Sequence, residues 1–436
     1  MIIGPYSPQK EQASVYCMAG DEPLMFSPLA SLSDKELEHW RMMRLAILPY
    51  AMSVIPMARP FDTVVLDERF LDFSSFFDAH IQLYNRTGLP ICKNIFFAKT
   101  DDLYATAMKK SRDDGIVSSV CFSYELHRHF PIENEISISK KANSKEHFVK
   151  LSEEYGFSTP KTFVFSKKEI ADRRFSFSGN FADDTFFVKS DGLGGGYNVK
   201  KVHSPEELSS FVEGYGEDRK FILQEIIDAS SFDEYAIDFI VKEKSYEPFN
   251  LRKKLVYNNQ WFGNVYLEDA SLTPSQEENL NKCMQSLQDL GYRSKWGNVC
   301  SIDFFQNAEK QYITEANGRW SGGFPIAALL KRMNLEGKAR VVSFIDKISQ
   351  EEQKKYIDFV SKYLVSTEDD FENIDFKLLS ISFCPAAQDG SLYVWLLVFG
   401  NYQNFWKLTR EIFSRESFET APIVASTLAI QEEGRF

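Results

Sequence analysis

Two stretches carry residues whose types and spacing suit chemistry on a phosphate. The first is IDFFQNAEKQYITEANGRW, residues 302–320. Asp303 and Glu315 fall on two strand-like runs joined by the polar turn QNAEK, and Asn317 stands two residues past Glu315, on the same side of its strand. Two carboxylates and an amide oxygen make a hard-oxygen set of the kind Mg²⁺ takes alongside water and substrate phosphates. Arg319 continues the alternation onto that side, placed to touch a transferring phosphoryl group. An acidic hairpin with a solvated face is the plainer reading. It does not explain why ITEAN lies between apolar strands, where an unpaired acid is costly.

The second stretch is FFVKSDGLGGGYNVK, residues 186–200. Lys189 ends a strand-like run, Asp191 follows, and Gly192, Gly194, Gly195 and Gly196 come after. Glycine at this density costs conformational entropy and packs nothing. Its usual reason is a backbone that approaches a phosphate closely. The stretch is not a P-loop, because GK[ST] is missing, nor a dinucleotide fingerprint, because Tyr197 stands where the third glycine belongs. A glycine-rich hairpin turn is the bland alternative.

The elements that must hold these residues read as α/β. Residues 1–135 alternate helical and strand-like pieces without a glycine-rich loop: a helix over SDKELEHWRMMRLAI, and strands at FDTVVLD and IVSSVCFSY. The texture changes near 136. NSKEHFVKLSEEYG predicts an amphipathic helix with a glycine stop, TFFVKS a strand, and SPEELSSFVEGY a helix capped by Ser204 with Pro205 at its first position. KFILQEII (220–227) and EYAIDFIV (234–241) read as strands, and 274–290 as a helix. After about 340, KLLSISFC and SLYVWLLVF can pair across PAAQDG. The expected division is 1–135, 136–340 (split near 230) and 341–436.

Composition narrows the class. The 436 residues carry a formal charge of −12, which speaks against nucleic-acid or anionic-membrane partners. The six cysteines form no metal-finger spacing and no CxxC, as expected of reduced thiols in a cytoplasm. No signal peptide is expected from MIIGPYSPQKEQ, and the longest apolar run, LYVWLLVF, reads as a buried strand.

The ordered set of Lys145 before a helix, Lys189 with its glycine loop, a Gln-Glu pair, and Asp…Glu-x-Asn resembles the ATP-grasp superfamily over about residues 140–335. The resemblance implies an ATP-grasp fold with an N-terminal pre-ATP-grasp domain and a small C-terminal α/β extension. It implies ATP and Mg²⁺ (or Mn²⁺) as cofactors. Lys145, with Lys141 as a rival, and Lys189 resemble the nucleotide lysines. Asp191 and Gly194, Gly195 and Gly196 resemble the loop that closes over phosphates. Gln224, Glu225 and Ile227 resemble the adenine hinge, and Glu234 the ribose acid. Asp303, Glu315 and Asn317 resemble the metal ligands, and Arg319 the arginine on the acyl phosphate. Ser301 stands where D-alanine–D-alanine ligases carry an arginine, so Arg319, Arg252 or Lys253 takes over that charge, or the acceptor chemistry differs. In LRKK, Arg252 and Lys253 read equally as strand-surface charges.

The flanks WRMMRLAILPYAMSVIPMARPFDTVVLDERF and GRWSGGFP resemble stand-alone peptide ligases of the pheganomycin-synthesis type. The implied reaction joins a carboxylate and an amine, amino acids by resemblance, through an acyl phosphate, with release of ADP and phosphate. Three readings compete: loading of an amino acid onto a carrier-protein thiol, an ATP-grasp kinase, and a nucleotide-binding module without turnover. A homodimer is one form the resemblance allows.

Overall fold

The computed structural model describes residues 2–433 except 10, 112–114, 173–184, 191–198, 218, 258–259, 267–270, 339, 372–373 and 385–389. Its strands form three sheets. The first is parallel, in the order β1-β5-β2-β3-β4, from Ile2–Gly4 (β1), Ser14–Cys17 (β2), Thr63–Asp67 (β3), Asn94–Ala98 (β4) and Ile116–Ser118 (β5). The chain runs from β2 out to β4 on one side and returns to β5 on the other. The strand order therefore reverses between β2 and β5, where loops leave the carboxyl ends in opposite directions.

The second sheet is antiparallel and small: Thr162–Ser166 (β6), Phe186–Ser190 (β7), Val199–Val202 (β8) and Lys220–Gln224 (β9), in the order β6-β9-β7-β8. The third has eight antiparallel strands in the order β14-β13-β10-β11-β12-β15-β17-β16. They are Asp233–Val241 (β10), Tyr246–Tyr257 (β11), Gln260–Tyr266 (β12), Asn298–Gln306 (β13), Gln311–Asn317 (β14), Val341–Ile348 (β15), Phe376–Cys384 (β16) and Leu392–Gly400 (β17). The C-terminal strands thus continue the sheet that begins at β10. β17 sits between β15 and β16, which is why LYVWLLVF is buried except for Tyr393.

Local signals account for the helices around these sheets. Ser33 and Glu36 form a reciprocal cap on Asp34–Ala46. Ser144 accepts from the His147 amide to start Lys145–Tyr155, and Gly156, at φ 68°, ends that helix in the left-handed region. Ser204 and Pro205 start Pro205–Val212. Two strand expectations are shortened: β5 covers only Ile116–Ser118, and β9 stops at Gln224, so Glu225 and Ile227 lie past its end.

The first and third sheets share a core. Met52, Val54 and Ile55 of the Leu48–Met57 helix pack in one cluster with Val394, Trp395 and Leu396 of β17. A buried polar relay crosses the same junction. His80 Nδ1 faces the Phe76 carbonyl (2.9 Å), which only accepts, so Nδ1 carries the proton. Nε2 then accepts from Ser380 Oγ (2.8 Å), which in turn accepts from Tyr356 (2.7 Å). Burial lowers His80 to about 4, so it stays neutral and structural.

Candidate active site

The chemistry-bearing residues come from the small sheet, the eight-stranded sheet and the helix between them. On the small sheet, Lys189 of β7 donates to Gln224 Oε1 of β9 at 2.8 Å, and the Gln224 amide donates to Thr162 Oγ1 of β6 at 3.1 Å. The partner of this ammonium is therefore neutral. Burial pulls Lys189 down to about 8, against the upward pull of Glu315. A half-buried ammonium held by a neutral amide suits contact with an anion.

On the large sheet, β13 and β14 pair so that Asp303 opposes Glu315 and Ser301 opposes Asn317. Directly opposed residues share a face, so the three expected metal ligands stand together. The Asn317 amide approaches Glu315 Oε1 at 3.5 Å. Lys145, at the start of its helix, donates to Glu315 Oε2 at 2.6 Å. Burial pushes the Glu315 carboxyl up, but Lys145 and then Lys189 outweigh it and hold the group well below the usual carboxylate range.

A third lysine joins them. Lys254 of β11 reaches Glu234 Oε1 at 2.6 Å and Asp303 Oδ2 at 3.0 Å. Burial pulls its ammonium down, yet Asp303 and Glu234 outweigh burial and hold it above the ordinary value. Sequence reasoning stopped at Arg252 and Lys253 and missed Lys254. In LRKK the alternation puts Lys254 on the face of Arg252, but it is the register Tyr235–Lys253, seen only in the structure, that brings Glu234 opposite it.

Arg252 and Lys253 are not surface charges. Arg252 is 2% exposed and binds Asp238 with both terminal nitrogens, at 3.0 and 3.2 Å. The same guanidinium reaches Ser321 Oγ (2.9 Å) and Ser301 Oγ (3.4 Å). It thus lies beside the serine that stands where an arginine was expected. Gly323 permits this approach, since a Cβ there would come within 2.2 Å of Arg252 Nε. Lys253 points to the other face, where it pairs with Asp233 at 2.5 Å.

Other expected residues stand apart from the carboxylates. Arg319 follows the end of β14, and its guanidinium is held by Asn143 Oδ1 at 2.5 Å, not by the acidic pair. The Glu225 carboxylate accepts from the Lys161 amide at 3.2 Å, which joins the segment after β9 to the segment before β6. Ile227 is half-buried in that segment. Glu234 is found on Lys254, so any contact with a sugar would compete with that ion pair. Asp191, Gly194, Gly195 and Gly196 lie outside the described residues.

Glu22 is a second residue that sequence reasoning missed. It follows β2 at the reversal point of the parallel sheet, where ligands of open α/β sheets sit. Its Oε2 is buried without a hydrogen-bond partner among the described residues, as is Nε1 of Trp320. The Trp320 amide bonds Val120 O at 2.9 Å, which lays the loop after β14 over this crevice. Burial, and then Asp21, raise Glu22 to about 7.

Among the described residues no group of three or more histidines, cysteines or acids is arranged to hold a metal alone. The donor set still fits a hard cation that draws its remaining ligands from phosphate and water: two carboxylates and an amide, with no sulfur or imidazole. The six cysteines are free and buried. No helix among the described residues is long and apolar enough to cross a membrane.

No family model and no curated protein matches the chain. Solved structures do. N5-carboxyaminoimidazole synthetase from Staphylococcus aureus, complexed with ADP, is similar at TM-score 0.54 and 10% identity, over 94% of this chain and 99% of that one. Phosphoribosylamine–glycine ligase from Thermotoga maritima is similar at TM-score 0.51 and 13% identity, over 93% and 98%. Identity this low carries the fold alone. The fold, with its parallel sheet and two antiparallel sheets, is that of ATP-grasp ligases.

Proposed function

We propose that this protein is an ATP-dependent carboxylate–amine ligase that works through an acyl phosphate and releases ADP and phosphate. The observation that carries the reading is the convergence of Lys145, Lys189 and Lys254 with Glu234, Asp303 and Glu315, drawn from two sheets and the helix between them. Lysines offset phosphate charge, and the carboxylates accept the accompanying cation. A binding module without turnover needs no such set. The fold shared with a ligase solved with ADP supports the same reading.

Each residue then has a task. Asp303, Glu315 and Asn317 would hold Mg²⁺ or Mn²⁺, which supplies charge neutralisation on the transferring phosphoryl group. Lys189, steadied by Gln224, binds nucleotide phosphate. Lys145 keeps Glu315 ionised, and Lys254 offsets part of the upward push that burial exerts on Asp303. Glu225 and Ile227, past the end of β9, form the adenine edge, and Asp191 and Gly194–Gly196 are assigned to phosphate binding. A substrate carboxylate oxygen attacks the γ-phosphorus, the bond to the bridging oxygen breaks, and ADP leaves. Arg319 then offsets charge on the acyl phosphate, with Arg252 behind it as a buried support for the 321–323 loop. The amine attacks the acyl carbon and phosphate leaves. Glu22, at the reversal point of the first sheet, receives the ammonium of an amino-acid substrate before it loses its proton. The chain does this in a reducing, cytoplasmic setting, as six free thiols suit.

The test is product analysis with Mg²⁺, ATP, pools of amino acids and hydroxylamine. ADP, phosphate and a hydroxamate are expected together in at least one pool. AMP with pyrophosphate would overturn the acyl-phosphate mechanism.

A further inference from the structure

The Asp34–Ala46 helix belongs to the N-terminal part of the chain, yet it grips the small sheet one residue from Lys189. Arg219, just before β9, spans the junction. Its Nη1 meets Glu36 Oε1 at 2.9 Å and its Nε donates to Ser190 Oγ at 3.2 Å. Ser190 follows Lys189 on β7 and is 1% exposed. Tyr215 also hydrogen-bonds Ser190, and Lys35 lies over the Tyr215 ring at 4.3 Å while donating to Phe211 O at 3.2 Å. Glu36 has a second duty, because its Oε2 accepts from the Ser33 amide (2.9 Å) and hydroxyl (2.7 Å) at its own helix start. The Glu36 and Arg219 side chains are only 12% and 16% exposed.

A largely buried ion pair is a poor source of net stability, but it fixes the relative placement of what it joins. Here it joins the first structural unit to the strand that presents Lys189. We propose that Arg219 is a positioning residue: through Ser190 it sets β7, and through Glu36 it makes the placement of Lys189 depend on the N-terminal part of the chain. The nucleotide site is then coupled to a helix that contributes nothing to the carboxylate cluster. This rests on the reading of Lys189 as a phosphate ligand.

The experiment measures ATP affinity of the full chain by calorimetry in Mg²⁺ for wild type, Glu36→Gln, Arg219→Gln and the double variant. Glu36→Gln keeps one acceptor oxygen for the Ser33 cap and turns an amide NH2 toward Arg219, so both the charge and the acceptor of that link are lost. Each single variant is expected to weaken ATP binding roughly tenfold. The double variant should be no weaker than Arg219→Gln alone, since both substitutions cut one link. In turnover, the KM for ATP should rise while kcat holds. A purely structural pair would lower the melting temperature and leave the ATP Kd of the folded protein alone, and that result in Glu36→Gln overturns the proposal even should Arg219→Gln fail to fold. A wild-type chain that binds no ATP would fail the nucleotide reading itself, and the proposal with it.

Discussion

The two antiparallel sheets handle charge in opposite ways. On the eight-stranded sheet Lys254 lies between Asp303 and Glu234, and Lys145 caps Glu315, so cations and anions already compensate one another. On the small sheet the hydrogen-bond partner of the Lys189 ammonium, among the described residues, is a neutral amide, and burial outweighs the pull of Glu315 and Glu234 and loosens its proton to about 8. One surface is paired internally, and under the proposed function the other is completed by an anion from outside. That asymmetry is what a phosphate-binding cleft between two sheets requires. It predicts that substitutions of like chemistry will have unlike consequences on the two sides.

The largest effect is expected from the acidic side. Glu315→Gln should cut ADP formation at least about a thousandfold with the fold retained, measured as initial rates beside circular dichroism. Normal turnover in a folded variant would remove the carboxylate pair from the site.

Matched lysine substitutions sharpen the contrast. Lys254→Met leaves Asp303 and Glu234 without their cation and should cost about 3–5 kcal/mol in chemical denaturation. Lys189→Met removes a half-buried charge whose hydrogen-bond partner is a neutral amide, and should cost little or nothing. Equal losses in the two variants would erase the distinction between the sheets.

The sequence showed much of the side-chain placement in this candidate site, and its failures have physical causes. Asp303, Glu315 and Asn317 were legible because strand alternation and a short turn fix which side chains share a face. The strand Phe186–Ser190 and the start of Lys145–Tyr155 were legible from local pattern and capping. Lys254 was not, because its role depends on a register between β10 and β11 with a bulge at Ala236–Asp238. Arg252 read equally as a site charge and a surface charge because its compensation by Asp238, fourteen residues away, belongs to pairing between strands. Glu22 needed the strand order of the first sheet, which no local pattern contains.

A pH series probes the small sheet at a smaller scale. Lys189 binds an anion only when protonated, so ATP affinity should be highest below pH 8 and fall above it, by up to about tenfold per pH unit. Glu315, Glu234, Lys145 and Lys254 surround the group and set its titration. The nucleotide-free chain should show the reverse trend. Between pH 8 and 10.5 the unfolded lysine keeps a proton that the folded one has lost, so this group's contribution to stability rises with pH. Parallel trends would contradict the assignment. The smallest effect is expected at Ser144, whose hydroxyl caps the helix that begins with Lys145. Ser144→Ala should cost about 1 kcal/mol in denaturation, and a neutral result would show that the cap does not help hold Lys145.

The most direct test of the central claim is an equilibrium titration of ATP into wild type and Lys189→Met at pH 7 in Mg²⁺, each with a melting curve. Saturable binding by wild type, weakened about a hundredfold in a variant that melts no lower, is the predicted result. Equal ATP affinity in the two proteins would contradict it and place the nucleotide, if it binds, away from the small sheet.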